Sequence, residues 1–357
     1  MQPINTAILS FGMSGRLFHA PFVETGEGFT FYAVWERTKN LAQELYPHVK
    51  TYRTLEDLLA DEAIELVIVN TPNATHYEYT KKALEAGKHV MVEKPFVVNA
   101  ADGEELVALA KERGLVLSPF QNRRWDSDFK TVKKIVDEEW LGRIVEAEFH
   151  FDRYKEELSA KAHKEEPGPG TGALYDLGAH IIDQSLFLFG MPQAVFADIR
   201  IIRPRSRVDD YFELLLYYPD MRVRLHGSYL VREPLPSFIL HGSMGSFLKW
   251  RADVQEAHLQ EGKSPGTPDW GIEPVTERGL LHTESGGEVI RETVPTLQGN
   301  YAGYFDGIYE AVRNGTLPPV TGRDGINTVR IIEAAFRSSE SKKVISLNEP
   351  EPAHGTY

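Results

Sequence analysis

Two stretches of the chain gather side chains able to move a proton and steady a charge. In HVMVEKPF (89–96) an apolar run ends in Glu93-Lys94 and then Pro95. The proline keeps Lys94 extended rather than helical, and the Lys94–Pro95 bond is a candidate for the cis form. An ammonium fixed at a strand end can stabilise negative charge developing on an oxygen. The plainer alternative is a surface lysine snorkelling from that end. In GTGALYDLGAHIID (170–183), Asp176, His180 and Asp183 are spaced i, i+4, i+7, which predicts one shared helix face. An imidazole ordinarily titrates near neutral pH, so His180 suits a general base that takes a proton from a hydroxyl. Asp176, one turn earlier, can lie beside the same hydroxyl or orient the imidazole, with Asp183 supporting from behind. Gly178 removes a side chain where a ligand or ring could press on the helix. A buried helix whose histidine closes a hydrogen-bond network would show the same pattern. No second histidine stands at ligand spacing in this motif, which argues against a metal there.

A third stretch, SFGMSGR (10–16), follows a short apolar run and opens a helix. It matches the dinucleotide fingerprint G-x-G-x-x-G with Ser10 in place of the first glycine. Gly12 would let the backbone approach a pyrophosphate, Gly15 would allow close helix–strand packing, and the turn through Met13 and Ser14 would offer N–H groups to phosphate. The second strand ends in Trp35-Glu36-Arg37. Glu36 can accept both ribose hydroxyls of NAD and would oppose the 2′-phosphate of NADP, whereas Arg37 could grip that phosphate. Both could equally begin a solvated helix. TPNATH (71–76) follows another buried strand. Thr71, Pro72 and Asn73 would line the nicotinamide side of a crevice, and Asn73 or Thr75 could also cap the helix that His76 opens. His76, Glu93 and Lys94 complete the expected cofactor edge.

Elements of alternating type must position these groups. Up to about residue 120, strand-like runs (5–10, 29–35, 65–70, 89–93, 115–120) alternate with helical patterns (38–45, 76–87, 100–114). Such alternation predicts a doubly wound α/β domain with a parallel sheet. Beyond about 145, strands at 145–151, 194–202, 210–218, 222–231 and 236–242 follow one another through short turns, as at the Pro-Asp of YYPDMRV (217–223). These predict a mixed, largely antiparallel sheet, and helical periodicity returns at 300–314 and 323–341. The expected division is 1–122 for the nucleotide domain, 123–347 for a substrate-binding and oligomerisation domain whose C-terminal helices can pack back on the first, and a tail at 348–357. Residues 156–173 read as a polar, mobile loop near the site.

The 357 residues carry 42% hydrophobic and 25% charged side chains, a soluble globular profile too long for one ordinary core. A net charge of −13 disfavours nucleic acid. The absence of cysteine excludes disulfides, thiolate catalysis and Cys-ligated zinc. With no secretory leader and no run near the roughly 18 apolar residues that span a membrane, a cytoplasmic location is expected. The apolar FELLLYY (212–218) is too greasy for an exposed sheet face, so a homodimer or homotetramer through that sheet is expected.

Taken together, the glycine turn at 12–15, Glu93-Lys94-Pro95, and D-x-G-x-H at Asp176–His180 resemble the glucose–fructose oxidoreductase / inositol dehydrogenase / MocA (Gfo/Idh/MocA) family. SGRLFHAPF (14–22) and QNRRWDSDF (121–129) resemble its branch of NADP-linked scyllo-inositol dehydrogenases and uncharacterised sugar oxidoreductases. The resemblance implies a Rossmann domain followed by an open-faced α/β domain, and NAD or NADP as cofactor. It also implies hydride transfer from a secondary alcohol of a cyclitol or sugar. The family's lysine, aspartate and histidine map onto Lys94, Asp176 and His180. Arg123 and Trp125, with Arg124 and Asp126, sit where they could meet substrate or cofactor, or pair structurally. Tyr154 and, more weakly, Tyr175 and Asp183 are candidates for the substrate wall. Two other readings stay open: a non-catalytic NAD(P) sensor on the same fold, and an NAD-dependent glycosidase.

Overall fold

In the first third of the chain the central strands, Ile4–Ile8, Leu66–Val69 and His89–Glu93, are buried along most of their length, as a parallel sheet covered on both faces requires. The computed structural model describes residues 2–159 and 165–347. The expected tail and residues 160–164 of the polar loop lie outside the described residues. Two compact units form. Among the described residues the first comprises 2–131, 252–277 and 295–329, and the second 132–159, 165–251, 278–294 and 330–347.

In the first unit, β1 (Ile4–Ile8), β2 (Phe29–Trp35), β3 (Lys50–Tyr52), β4 (Leu66–Val69), β5 (His89–Glu93) and β6 (Leu117–Phe120) form one sheet in the order 3-2-1-4-5-6. Every pairing is parallel. All four residues of β4 are buried, the pattern of a strand covered by helices on both faces. The helices carry ordinary stop and start signals. Asn99 accepts the Asp102 N–H at 2.9 Å to open Ala100–Arg113, and Gly114 closes it at φ 64°. The short strand β3 and the helix Leu55–Ala60 have no counterpart in the expected elements. With three and six residues, they are too brief to show a period. One face of the sheet is packed by aromatic rings from far along the chain: Phe22 stacks on Phe305 at 5.1 Å, and Tyr301 and Tyr304 are fully buried. Burial of each such ring stabilises the fold by roughly 1.5–3 kcal/mol.

In the second unit, β7 (Ile144–His150), β8 (Ala194–Arg200), β9 (Tyr211–Tyr217), β10 (Arg222–Ser228) and β11 (Phe238–Gly242) appear where alternation places strands. They join β12 (Gly245–Lys249), β13 (Gly279–Ser285), β14 (Glu288–Val294) and β15 (Ile345–Ser346) in a nine-stranded sheet ordered 14-13-12-11-7-10-9-8-15. Only the β7–β10 pairing is parallel, so the sheet is mixed and largely antiparallel. Residues 211–217 alternate strictly between half-buried and buried, one face to the core. β13 and β14 are missing from the expected strands because TESGGEVIRET is too polar to read as one. Gly286 and Gly287, at φ 61° and 84°, form the hairpin turn that the two-glycine step could have signalled. The helix Ala179–Phe189 covers one sheet face, with Phe189 6.4 Å from Phe149. Among the described residues, no helix is long and apolar enough to cross a membrane.

Candidate active site

The first unit places its glycine turn at the carboxyl ends of β1 and β4, where the strand order reverses and open α/β sheets bind ligands. The Arg16 N–H bonds back to the Gly12 carbonyl at 3.1 Å, so the amides of Met13, Ser14 and Gly15 precede the first intrahelical bond. Gly15 is required by contact: a Cβ there would lie 2.1 Å from the Ser10 carbonyl oxygen and 3.0 Å from Asn70 Nδ2. Gly12 differs, since its added Cβ would meet nothing nearer than Ser10 Oγ at 3.5 Å. That space above the turn, beside the leading amides, fits a pyrophosphate. Met13 is largely exposed there. Asn70, which the motif reading passed over, bolts the turn to β4 by donating to Ser10 O at 2.7 Å and Ser14 Oγ at 3.2 Å.

Glu36, at the end of β2, is buried and accepts the amides of Leu41 (3.3 Å) and Ala42 (3.1 Å). Its carboxylate thus caps the next helix, Leu41–Leu45. Arg53 donates to the Glu36 carbonyl at 2.8 Å and also to Asn40 Oδ1. Arg37 is exposed beside it.

The loop after β4 carries Thr71, Pro72 and Asn73, the last opening a short 3-10 turn. Thr71 and Thr75 share a hydroxyl–hydroxyl bond of 2.7 Å. His76 is fully buried, its ring nitrogens 2.8 Å from Pro95 O and 2.9 Å from Thr71 O. Burial holds the imidazole below its ordinary pKa against these carbonyls. A neutral ring carries one N–H and serves one carbonyl at a time. His76 thus lies between the Thr71 loop and the turn after Lys94 and donates to one of the two carbonyls. The Lys94–Pro95 peptide is cis, and Lys94 stands half-buried at the tip of β5. Glu93 Oε1 meets His19 Nε2 at 2.9 Å, and Oε2 accepts the Lys94 N–H at 3.2 Å. Burial pushes the Glu93 carboxyl up, but the His19 hydrogen bond and the nearby charges of His19, Lys94 and His76 outweigh it and hold it below the usual range. His19, with no exposed surface, is a second residue the motif reading missed.

Arg123 and Trp125 belong to this unit too. Arg123 pairs with Asp126 at 3.3 Å and Glu256 at 3.1 Å, and the Trp125 ring stands edge-on to Tyr304 at 5.4 Å.

In the second unit, Asp176 sits in a π-turn, Leu174–Gly178, that feeds the regular helix carrying His180 and Asp183. The wider turn displaces Asp176 from the position that a uniform 3.6-residue period predicts. His180 and Asp183 are buried, and the His180 ring lies 6.0 Å from Phe151. At Gly178 a Cβ would come within 2.6 Å of Leu174 Cδ1 and 3.4 Å of the Phe212 ring, so neighbouring side chains occupy that space. Asp209, also unforeseen, anchors the segment: its Oδ2 accepts the Leu174 N–H and its carbonyl the Ala173 N–H, both at 2.8 Å. Burial, with the adjacent charge of Asp210, pushes Asp209 up to about 6 against its backbone hydrogen bonds. Tyr229 is pushed up to about 12 by burial, with the charge of Asp176 acting in the same direction. Tyr175 stacks on Phe336 at 5.9 Å, and Tyr154 is exposed beneath the Arg232 guanidinium at 3.9 Å.

A parallel 3-2-1-4-5-6 sheet with a glycine turn at its switch point, joined to a mixed-sheet unit bearing an Asp/His helix, defines a class of nucleotide-dependent oxidoreductases. The chain belongs to the Gfo/Idh/MocA oxidoreductase family. Residues 4–121 match its NAD-binding Rossmann fold and 133–347 its C-terminal alpha/beta domain. It is an NAD(P)-dependent dehydrogenase of that family. Among its relatives, scyllo-inositol 2-dehydrogenase (NADP(+)) IolW of Bacillus subtilis is 41% identical, with 97% of each chain aligned. The uncharacterised oxidoreductase YdgJ of Escherichia coli is 37% identical, covering 96% of this chain and 99% of its own. A putative oxidoreductase from Bacteroides fragilis superposes with a TM-score of 0.89 at 46% identity, over 97% of this chain and 100% of that one.

Proposed function

We propose that the protein oxidises, reversibly, a secondary alcohol of a cyclitol or sugar with NADP as hydride acceptor. The observation that carries this is the position of Lys94 on the same carboxyl edge of the six-stranded sheet as the Gly12–Gly15 turn. In the proposed mechanism His180 removes the hydroxyl proton. Lys94 hydrogen-bonds the same oxygen and stabilises the charge that develops on it. Asp176 positions the hydroxyl, with Asp183 behind the imidazole. The bound nicotinamide supplies the hydride-accepting carbon. Gly12, Met13, Ser14 and Gly15 would hold the pyrophosphate, and Thr71, Pro72 and Asn73 the nicotinamide side. NADP is favoured because the Glu36 carboxylate is committed to its own helix amides while Arg37 stays exposed, and the IolW relative is NADP-linked by name. A homodimer or homotetramer built on the mixed sheet and a cytoplasmic location complete the proposal.

The test is turnover of a panel of inositols and sugars with NADP+ and NAD+, repeated with His180→Ala. The variant should lose about 10²–10⁴ in kcat. Wild-type turnover by that variant would refute the role. NADPH binding without turnover of any polyol would favour the sensor reading, and cofactor left unchanged after glycoside cleavage the glycosidase reading.

A further inference from the structure

A second cluster of reactive side chains lies in the nine-stranded sheet, on the face away from the helix Ala179–Phe189. Along β7 and its extension, Phe149 and Phe151 point toward that helix, the first to Phe189 and the second to His180. Alternation therefore sends His150 and Asp152 to the other face. His226 on β10 is the register partner of His150 in the sheet's one parallel pairing, and the Phe151 N–H bonds to the His226 carbonyl at 2.8 Å. These three residues offer one donor atom each, all within 4.8 Å of one another. Asp152 Oδ1 lies 2.9 Å from His226 Nδ1, and Oδ2 lies 3.5 Å from His150 Nδ1. Yet both Nδ1 atoms are buried and neither makes a well-directed hydrogen bond.

The geometry points to a site for a divalent d-block cation of the zinc type, held by Nδ1 of His150, Nδ1 of His226 and the carboxylate of Asp152. Bonds of about 2.0–2.2 Å in a tetrahedral site separate donors by roughly 3.3–3.6 Å; the two Asp152–imidazole separations lie within about 0.5 Å of that range, and the two imidazole donors, within 4.8 Å of each other, close on the ion by side-chain rotation. Two imidazoles and a carboxylate are a suitable donor set for such an ion. The surroundings supply the outer partners such sites use. Glu148 Oε2 lies 3.0 Å from His150 Nε2, which places the proton on Nε2 and leaves the Nδ1 lone pair for the ion. Arg224 holds Glu148 from the far side at 3.0 Å. His150 and Asp152 also line a cavity of about 210 Å³ with Pro234, Leu235, Trp250 and Arg251, which leaves room beside the cluster for water or a small anion. The ion would pin β7 and its extension to β10.

Full-length protein stripped with chelator is titrated with Zn2+ by calorimetry and with Co2+ by visible absorption. The expected result is one ion per chain, with the intense d–d bands of a low-coordinate Co2+ site and a raised melting temperature in Zn2+. Glu148→Gln should weaken binding about 10–100-fold at unchanged stoichiometry. His226→Gln and His150→Gln should weaken it further, and His241→Gln, outside the cluster, should change nothing. Circular dichroism of each metal-free variant checks folding. If His150→Gln fails to fold, the more exposed His226→Gln and the wild-type Co2+ spectrum still decide. Absence of the Co2+ bands, or Zn2+ uptake that survives His226→Gln unchanged, overturns the site and leaves Asp152 as a structural bridge between two imidazoles.

Discussion

The two glycines of the phosphate turn should fail in different ways when each gains a methyl group. At Gly15 an added Cβ would sit 2.1 Å from the Ser10 carbonyl oxygen, and real Cβ atoms essentially never come under 3.0 Å. The helix must retreat from β1 by the difference, about 0.9 Å, because backbone cannot rotate out of the way. Overpacking of this kind costs roughly 1–3 kcal/mol. Each kcal/mol moves the melting temperature of a unit of this size by about 2–4 °C. Gly15→Ala should therefore lower the melting temperature and weaken NADPH together. At Gly12 the nearest atom to a new Cβ is Ser10 Oγ at 3.5 Å, ordinary contact. Gly12→Ala should melt with the wild type, yet bind NADPH at least about 10-fold more weakly, a loss of about 1.4 kcal/mol, because the methyl takes the space proposed for the pyrophosphate. The assays are thermal melts without cofactor and fluorescence titration with NADPH. Wild-type affinity in Gly12→Ala would show that the phosphates do not lie on this turn, and the assignment would fall.

Three other perturbations follow from named contacts. Asn70→Ala removes the donor to Ser10 O and Ser14 Oγ and should cost about 0.5–1.5 kcal/mol in urea denaturation, with weaker NADPH binding as the turn loosens. His19→Ala leaves the half-buried Glu93 carboxylate short of a partner and should cost roughly 1–3 kcal/mol at neutral pH. Since the folded Glu93 carboxyl lies below its ordinary value, the pair's contribution is present above that ordinary value and lost as pH falls through the folded one. The variant should show a flatter acid limb. Asp209 titrates the other way. Its folded carboxyl is raised from 3.8 to about 6, so its contribution to stability falls as pH rises through that window and is fully present only below it. Asp209→Asn, which keeps an acceptor for the Leu174 N–H, should abolish that slope in denaturation curves taken across the window.

What could be read before folding was local. Alternating periods gave β2 and β5 their bounds, and the Pro-Asp step fell between β9 and β10. The doubly wound class and the mixed sheet followed from the order of elements. The supports of the cofactor crevice were hidden because their partners are far along the chain: Asn70 reaches back 60 residues to Ser10, and His19 forward 74 to Glu93. Asp209 caps a helix that begins 35 residues earlier. Periodicity is equally blind to a π-turn, which places Asp176 by a hydrogen-bond shift and not by residue spacing. β14 escaped because a strand wet on most positions lacks the apolar alternation that marks a half-buried one, and β13 because its buried positions, Gly279, Leu281 and Thr283, are not an apolar series.

The first unit's discontinuity bears on how the chain matures. A ribosome that has released residues 1–131 has delivered all six parallel strands but not Tyr301, Tyr304 or Phe305, whose rings seal one face of that sheet. Until residues 301–305 follow, about 170 positions later, the nascent nucleotide-binding half must wait with that face open. That interval is its period of greatest exposure to aggregation and to chaperones.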